Sequence, residues 1–174
     1  QLIRDGGSVD LSASPSVVEA PSRDEKPLVL TARADRSAPI TRAELERIVE
    51  YGLLAPSGGN AQPWRFVGRG NVLECWVDSE RSWTFLDYQQ RASQLAIGAA
   101  VENMVLAARS LGFEVSARSF PRNGKPELVC ELSFESSDRE PPVVPLAKSI
   151  PLRVTNRRQV EHRPLERDAK DALM

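Results

Sequence analysis

Between residues 41 and 54 the positions Leu45, Ile48, Val49 and Gly52 fall on one side of a helical repeat, with Glu46, Arg47 and Glu50 on the other. That pattern predicts an amphipathic helix with one packed face. Thr41 and Glu44 form a T-x-x-E capping box at its start, with Ile40 placed to staple onto Leu45, and Pro56 stops it from running on. Residues 64–78 switch to strand formers on both sides of Arg69-Gly70-Asn71, which predicts an antiparallel hairpin. Residues 79–90 read as irregular. Residues 91–111 predict the longest helix, whose middle, Leu95-Ala96-Ile97-Gly98-Ala99-Ala100-Val101, is apolar or small on every side, the pattern of a buried helix. Gly112 suits its C-cap. Strands are expected at 113–118 and 127–135, joined by a turn at 121–125. In the second, Leu128, Cys130, Leu132 and Phe134 alternate with Val129, Glu131, Ser133 and Glu135, so one face is covered.

The ends are less regular. Residues 1–26 mix Gly6, Gly7, serines and prolines without periodicity and read as a linker or the end of an upstream region. Residues 28–31 form a candidate short strand, and 136–145, polar and then proline-rich, a crossing loop. Arg153-Val154-Thr155-Asn156-Arg157-Arg158 gathers arginines with a hydroxyl and an amide. Leu165, Ala169 and Leu173 then begin a helical pattern without a closing cap, which reads as a shortened end.

A chain of 174 residues is ordinarily one domain and is long enough to bury about two thirds of its unfolded surface. The 23 basic and 24 acidic residues nearly cancel, so charge makes no case for nucleic acid or an anionic membrane as a partner. No apolar run reaches the roughly eighteen residues of a membrane span, and a cytoplasmic protein is the expectation. Cys75 and Cys130 sit within strand-like runs, away from any second ligand at metal spacing, and read as buried free thiols. His162 is the one histidine, and no nucleophile motif accompanies it. Any chemistry is therefore expected to come from a cofactor.

The stretch that suits a ligand is Ala55-Pro56-Ser57-Gly58-Gly59-Asn60-Ala61-Gln62-Pro63-Trp64. It has no ionisable residue, three amide or hydroxyl side chains and a closing tryptophan, a composition fit for pressing against a flat, partly polar ligand. Ser57 and Asn60 also have a plainer use in bonding their own turn, and Trp64 one in filling the core. Upstream, Arg33-Ala34-Asp35-Arg36-Ser37 sets two arginine forks and a hydroxyl ahead of a helix, either a phosphate grip or a solvated charge cluster.

These residues resemble the flavin-dependent nitroreductase family. Its loop pattern A-P-S-x-x-N-x-Q-P-W is met by residues 55–64, and its long-helix pattern G-A-x-x-x-N-x-x-L-A-A-x-x-L-G by Gly98-Ala99, Asn103, Leu106-Ala107-Ala108 and Leu111-Gly112. The likeness covers residues 33–112. It implies an α+β fold, an antiparallel-rich sheet packed with a long buried central helix, in a homodimer or an intramolecular pseudo-dimer. It also implies FMN at the interface of two like halves, with NAD(P)H as hydride donor and a small electron acceptor, a nitroaromatic or a quinone. Ser57 and Asn60, with Pro56 and Gly58, become candidates for the ring side, and Arg33, Arg36 and Ser37 for the phosphate. The family has a further arginine two residues after the serine, where this chain has Pro39, and a later basic motif that has no match before Met174. Arg153 and Arg157 are further candidates for holding the cofactor and resemble the opening of a second half, which divides the chain into a nitroreductase-like half at 27–145 and the start of another at 146–174. The incomplete phosphate pattern leaves three readings open: an FMN oxidoreductase, a protein that sequesters FMN, and a cofactor-free module of a longer protein.

Overall fold

The computed structural model describes residues 9–10, 30–35, 37–82, 85, 87–137, 144–156, 164 and 166–171. In chain order these give β1 (Val9–Asp10), α1 (Arg42–Leu53), a 3-10 turn (Gly58–Asn60), β2 (Trp64–Arg69), β3 (Val72–Val77) and α2 (Ser79–Ser82). A second 3-10 turn (Tyr88–Gln90), α3 (Arg91–Leu111), β4 (Phe113–Ser119), β5 (Leu128–Ser136), α4 (Pro145–Ser149), a third 3-10 turn (Ile150–Leu152) and α5 (Arg167–Asp171) follow. The strands pair antiparallel in the order β1-β2-β3-β5-β4.

The fold is thus α+β. Strand alternation sends Phe66, Leu73, Cys75, Leu132 and Phe134 to one face of the sheet, where they pack with Ile97, Ala100 and Met104 of α3. Helix α1 packs on α3 through Leu45, Ile48, Val49 and Gly52, so closely that a Cβ on Gly52 would lie 2.8 Å from Met104 Cγ. The expected capping box is present: Glu44 N donates to Thr41 Oγ1, and Thr41 N donates to Glu44 Oε2 at 2.8 Å. Gly112 ends α3 in the left-handed region, and Ile40 packs against the core. Asn103 Nδ2 donates to the Tyr51 carbonyl at 3.1 Å and ties α3 to the end of α1.

Four expectations need correction. Residues 79–90, expected to be irregular, hold α2 and the second 3-10 turn. The central helix is not buried all round: Leu95 is 78% exposed and Gly98 faces open space, because the sheet and α1 together cover only the Ala96, Ile97, Ala100 and Met104 side. Leu30 and Thr31 belong to no strand; Leu30 packs on the core instead, and Leu28 and Val29 lie outside the described residues. Within 1–26, Val9–Asp10 pair with the edge of β2. Ala147 and Ile150 are buried, and Ile150 packs with Tyr51 and Ala107, on the α1–α3 layer.

The topology fixes two ends of the sheet. At one end lie residues 55–63 before β2, 78–90 after β3 and 120–127 between β4 and β5, since Trp64 pairs with Val77 and Ser119 with Cys130. At the other lie the 70–71 turn, the start of β4 and the end of β5.

Candidate functional site

The loop end carries an unusual backbone. The described non-glycine residues with positive φ are Asn60 (57°), Gln62 (48°), Gln89 (55°), Gln90 (58°) and Phe120 (47°), and all five belong to the three loops of that end. L-residues avoid this region, and side chains held there cluster where a ligand or switch requires them. Four of the five are amides.

Each loop is held by its own bonds. Leu54 and Ala55 close the end of α1, and the chain then turns through Gly58–Asn60, with Gly59 at φ 59°. Ser57 Oγ accepts from Gln62 N at 2.9 Å, so the serine shapes its own loop. Pro56, Gly58 and Asn60 are exposed, whereas Pro63 and Trp64 are buried, and Trp64 stacks with Phe66 at 6.3 Å between centroids. The indole Nε1 of Trp64 is buried without a hydrogen-bond partner. Ahead of α3, Asp87 accepts from Ala92 N at 2.7 Å, from Ser93 N at 3.1 Å and from the Ser93 hydroxyl, capping the helix across the strained glutamines. Burial raises the Asp87 pKa, but these bonds outweigh it and leave the carboxyl below its ordinary value. Phe120 N donates to Val129 O at 2.8 Å in the third loop.

A groove of about 390 Å³ opens between the uncovered side of α3 and the ends of β4 and β5. Arg91, Gln94, Leu95, Gly98, Phe120 and Cys130 are among its lining, mostly apolar with a cation and an amide, and its volume lies within the roughly 300–1,000 Å³ of small-molecule sites. Pro56, Ser57, Gly58 and Asn60 do not line it.

The phosphate candidates stand elsewhere. Arg33 N donates to Leu111 O at 3.2 Å, and its guanidinium lies 4.3 Å over the Phe113 ring, at the opposite end of the sheet. Arg33 Nη2 donates to Ala38 O at 2.8 Å, and Nε lies 3.3 Å from Glu44 Oε1, while Nε and Nη1 are buried with no hydrogen-bond partner. The Ser37 hydroxyl donates to Asp35 at 2.8 Å, and that bond leads the lowering of the Asp35 pKa. Helix α1, twelve residues or roughly 18 Å, separates this cluster from the 55–64 loop. Arg153 does reach the loop's start, donating to Leu54 O at 3.4 Å and to Thr155 Oγ1 at 3.2 Å. Arg36, Arg157 and His162 lie outside the described residues.

Residues 31–74 match the model of the Nitroreductase family. Over this stretch the chain is similar to that family. It is 24% identical over 99 residues to a Mycobacterium tuberculosis protein provisionally named NAD(P)H nitroreductase acg, a match covering 57% of this chain and 30% of that protein. It is 33% identical over 115 residues to an uncharacterised M. tuberculosis protein, covering 64% of this chain and 15% of that one. The chain therefore spans less than a third of the length of these relatives. Among solved structures it is similar to a nitroreductase family protein of Clostridium difficile 630 (17% identity, TM-score 0.48, covering 80% of this chain and 98% of that one). It is also similar to an FMN-dependent nitroreductase of C. difficile R20291 (15% identity, TM-score 0.45, covering 66% and 88%).

Of the residues at this end, Gln62 belongs to the 55–64 stretch, whereas nothing in the sequence singled out Gln89, Gln90, Gln94 or Phe120. A pair of glutamines beside a capping aspartate was the available signal. What it lacked was backbone conformation, since nothing in the residue types announces a positive φ at Gln or Phe. Both cysteines are buried and free, as expected, and burial pushes their thiols up. No group of three metal-ligating side chains occurs among the described residues, and no described helix is long and apolar enough to cross a membrane.

Proposed function

We propose that this chain is an FMN-binding module of an oxidoreductase of nitroreductase type, which moves hydride from NAD(P)H to a nitroaromatic or quinone-like acceptor. The observation that carries the reading is the gathering of strained amide residues, the 55–64 loop and an apolar groove at one end of the sheet. A flat, partly polar ring fits such a place, and the unpartnered Trp64 indole N–H beside the loop is a donor in want of an acceptor. Bound there, FMN supplies the two-electron redox chemistry. Asn60, Pro56 and Gly58 offer one surface to the ring, Ser57 holds the loop in shape, and Arg153 stands at its base. The apolar groove excludes water from whatever it covers.

The distance between the two candidate sets supports an assembled site. Arg33 and Ser37 lie at the far end of α1, so a single flavin using both sets draws them from two like units, as a homodimer or as halves of one longer chain. The engagement of Arg33 with Glu44 and of Ser37 with Asp35 favours a second reading, in which the module holds flavin weakly or does without it.

The test is to purify the full chain, titrate it with FMN and add NADPH or NADH anaerobically. Bleaching of a bound flavin, restored by a nitroaromatic or quinone, is the expected result. A bound flavin that stays oxidised supports sequestration, and protein that refuses FMN overturns both flavin readings.

A further inference from the structure

The face of the sheet turned away from α3 carries a carboxylate where a solvated residue is the rule. Glu74, in the middle of β3, has a side chain only 2% exposed, and both of its oxygens are engaged. Oε1 accepts from Arg122 Nη2 at 2.6 Å; Oε2 accepts from Trp76 Nε1 at 3.1 Å and lies 3.7 Å from Arg69 Nε. Arg122 also lies 3.9 Å from Glu131 Oε2. A carboxylate this buried costs free energy unless paired, so the partner that reaches it from another segment is held firmly.

That segment is the β4–β5 connection, and it carries Phe120 two residues before Arg122. Phe120 lines the groove on the α3 side, while Arg122 reaches across to the opposite face of the sheet. The connection therefore straddles the sheet, and Phe120 keeps a left-handed φ of 47° that a bulky residue holds only when its surroundings over-determine it. Beside Phe120 stand the Phe120 N to Val129 O bond on one side and the Arg122–Glu74 pair on the other, while Lys125 N to Arg122 O and Val77 N to Glu127 O close the rest of the connection.

We infer that the Arg122–Glu74 ion pair is a positioning latch, which fixes the β4–β5 connection so that Phe120 stands as a wall of the groove. The functional half of this inference rests on the flavin reading above; the positioning half does not. Arg122 touches no ligand in this account and acts through Phe120.

The test uses the full chain in four variants, Arg122→Ala, Arg122→Lys, Glu74→Gln and Arg69→Ala, and reads the hydrogen exchange of the Phe120 amide. Loss of one charge-assisted hydrogen bond corresponds to about tenfold. Arg122→Ala is expected to speed Phe120 exchange by about that factor, with Glu74→Gln smaller in the same direction and Arg122→Lys close to the parent. Arg69→Ala is the control, because it removes a charge from Glu74 without touching the β4–β5 connection, and it is expected to leave Phe120 unmoved. The same proteins are then titrated with FMN, whose dissociation rate is expected to rise about tenfold in Arg122→Ala and to be restored in Arg122→Lys. Unchanged Phe120 exchange in Arg122→Ala overturns the latch, as does equal acceleration by Arg69→Ala. Faster exchange with unaltered FMN dissociation overturns the link to the groove. If the parent protein refuses FMN, the flavin reading falls and the Phe120 amide alone decides the latch.

Discussion

The two ends of the sheet are built from the same strands and differ in how they turn. At the quiet end, the β2–β3 turn and the exit from α3 place Gly70 and Gly112 where φ is positive, at 60° and 100°. Glycine takes these angles without penalty. At the loop end Gly59 and Gly124 take such angles too, at 59° and 76°, but the chain also asks them of Asn60, Gln62, Gln89, Gln90 and Phe120, where an L side chain is rarely found. Among the described residues, non-glycine side chains at positive φ occur at the loop end alone, and two of them are engaged locally: Gln90 Nε2 donates to Ser82 Oγ at 3.5 Å, and Gln89 Oε1 accepts from Arg91 Nη2 at 3.1 Å. The quiet end turns on glycine alone, and the loop end carries backbone strain as well.

The largest expected effect tests what keeps the loop end in place. Asp87 holds the start of α3 through Ala92 and Ser93, and Asp87→Ala is expected to cost about 2 kcal/mol at neutral pH, the upper range for loss of a helix cap. The carboxyl's pKa is lowered in the folded chain, so its contribution is complete above the unfolded value, about 3.9, and is lost as pH falls through the folded value. The gap in denaturant midpoint between parent and variant should therefore begin to close below about pH 4 and vanish below the folded value. A gap that persists undiminished at acid pH would show that the loss is one of packing rather than of the charged cap.

The next pair sets the two ends directly against each other. An added Cβ at Gly70 meets nothing within 4 Å, so Gly70→Ala reports backbone strain alone and is expected to destabilise by about 1 kcal/mol. Gln90→Gly makes the reverse change at the loop end and is expected to stabilise by up to about 1 kcal/mol while weakening FMN binding. Thermal unfolding and flavin titration on the two variants decide it. If Gln90→Gly stabilises without loss of flavin, the strain at that residue serves no ligand.

This contrast also marks how far the residues alone could lead. Helix α1, the 64–78 hairpin, the span of α3 and the alternation in β5 were legible because each carries its own period and its own caps, and those are local. The exposed Leu95 and Gly98 were not. An apolar helix reads as buried whether its cover is this chain's sheet or something beyond it, and the middle of α3 has cover on one side only. The site divides in the same way. The 55–64 loop was recognisable from composition and spacing, and Arg33 and Ser37 were placed with it by resemblance. Their separation by the length of α1 follows from the helix predicted at 41–54, which already stands between them in the chain. Gln89, Gln90 and Phe120 were hidden for another reason, since strain belongs to φ and not to residue type.

The smallest effect is the one that bears most narrowly on a ligand. Trp64 is 3% exposed, its ring stacks on Phe66, and its indole N–H is buried without a partner. An unsatisfied buried donor costs free energy, and replacing it by an apolar group of similar shape is close to neutral. Trp64→Phe leaves a smaller ring, so the recovered desolvation is offset by a modest packing loss, and the unliganded stability is expected to stay within about 1 kcal/mol of the parent. With FMN present the two proteins should part, because only the parent can offer the N–H to an acceptor. The rise in melting temperature on adding FMN is the measurement. A smaller rise in Trp64→Phe puts the tryptophan at the ligand, whereas an equal rise makes it a core residue that happens to close the loop, and leaves Asn60 as the first polar group for a flavin ring to meet.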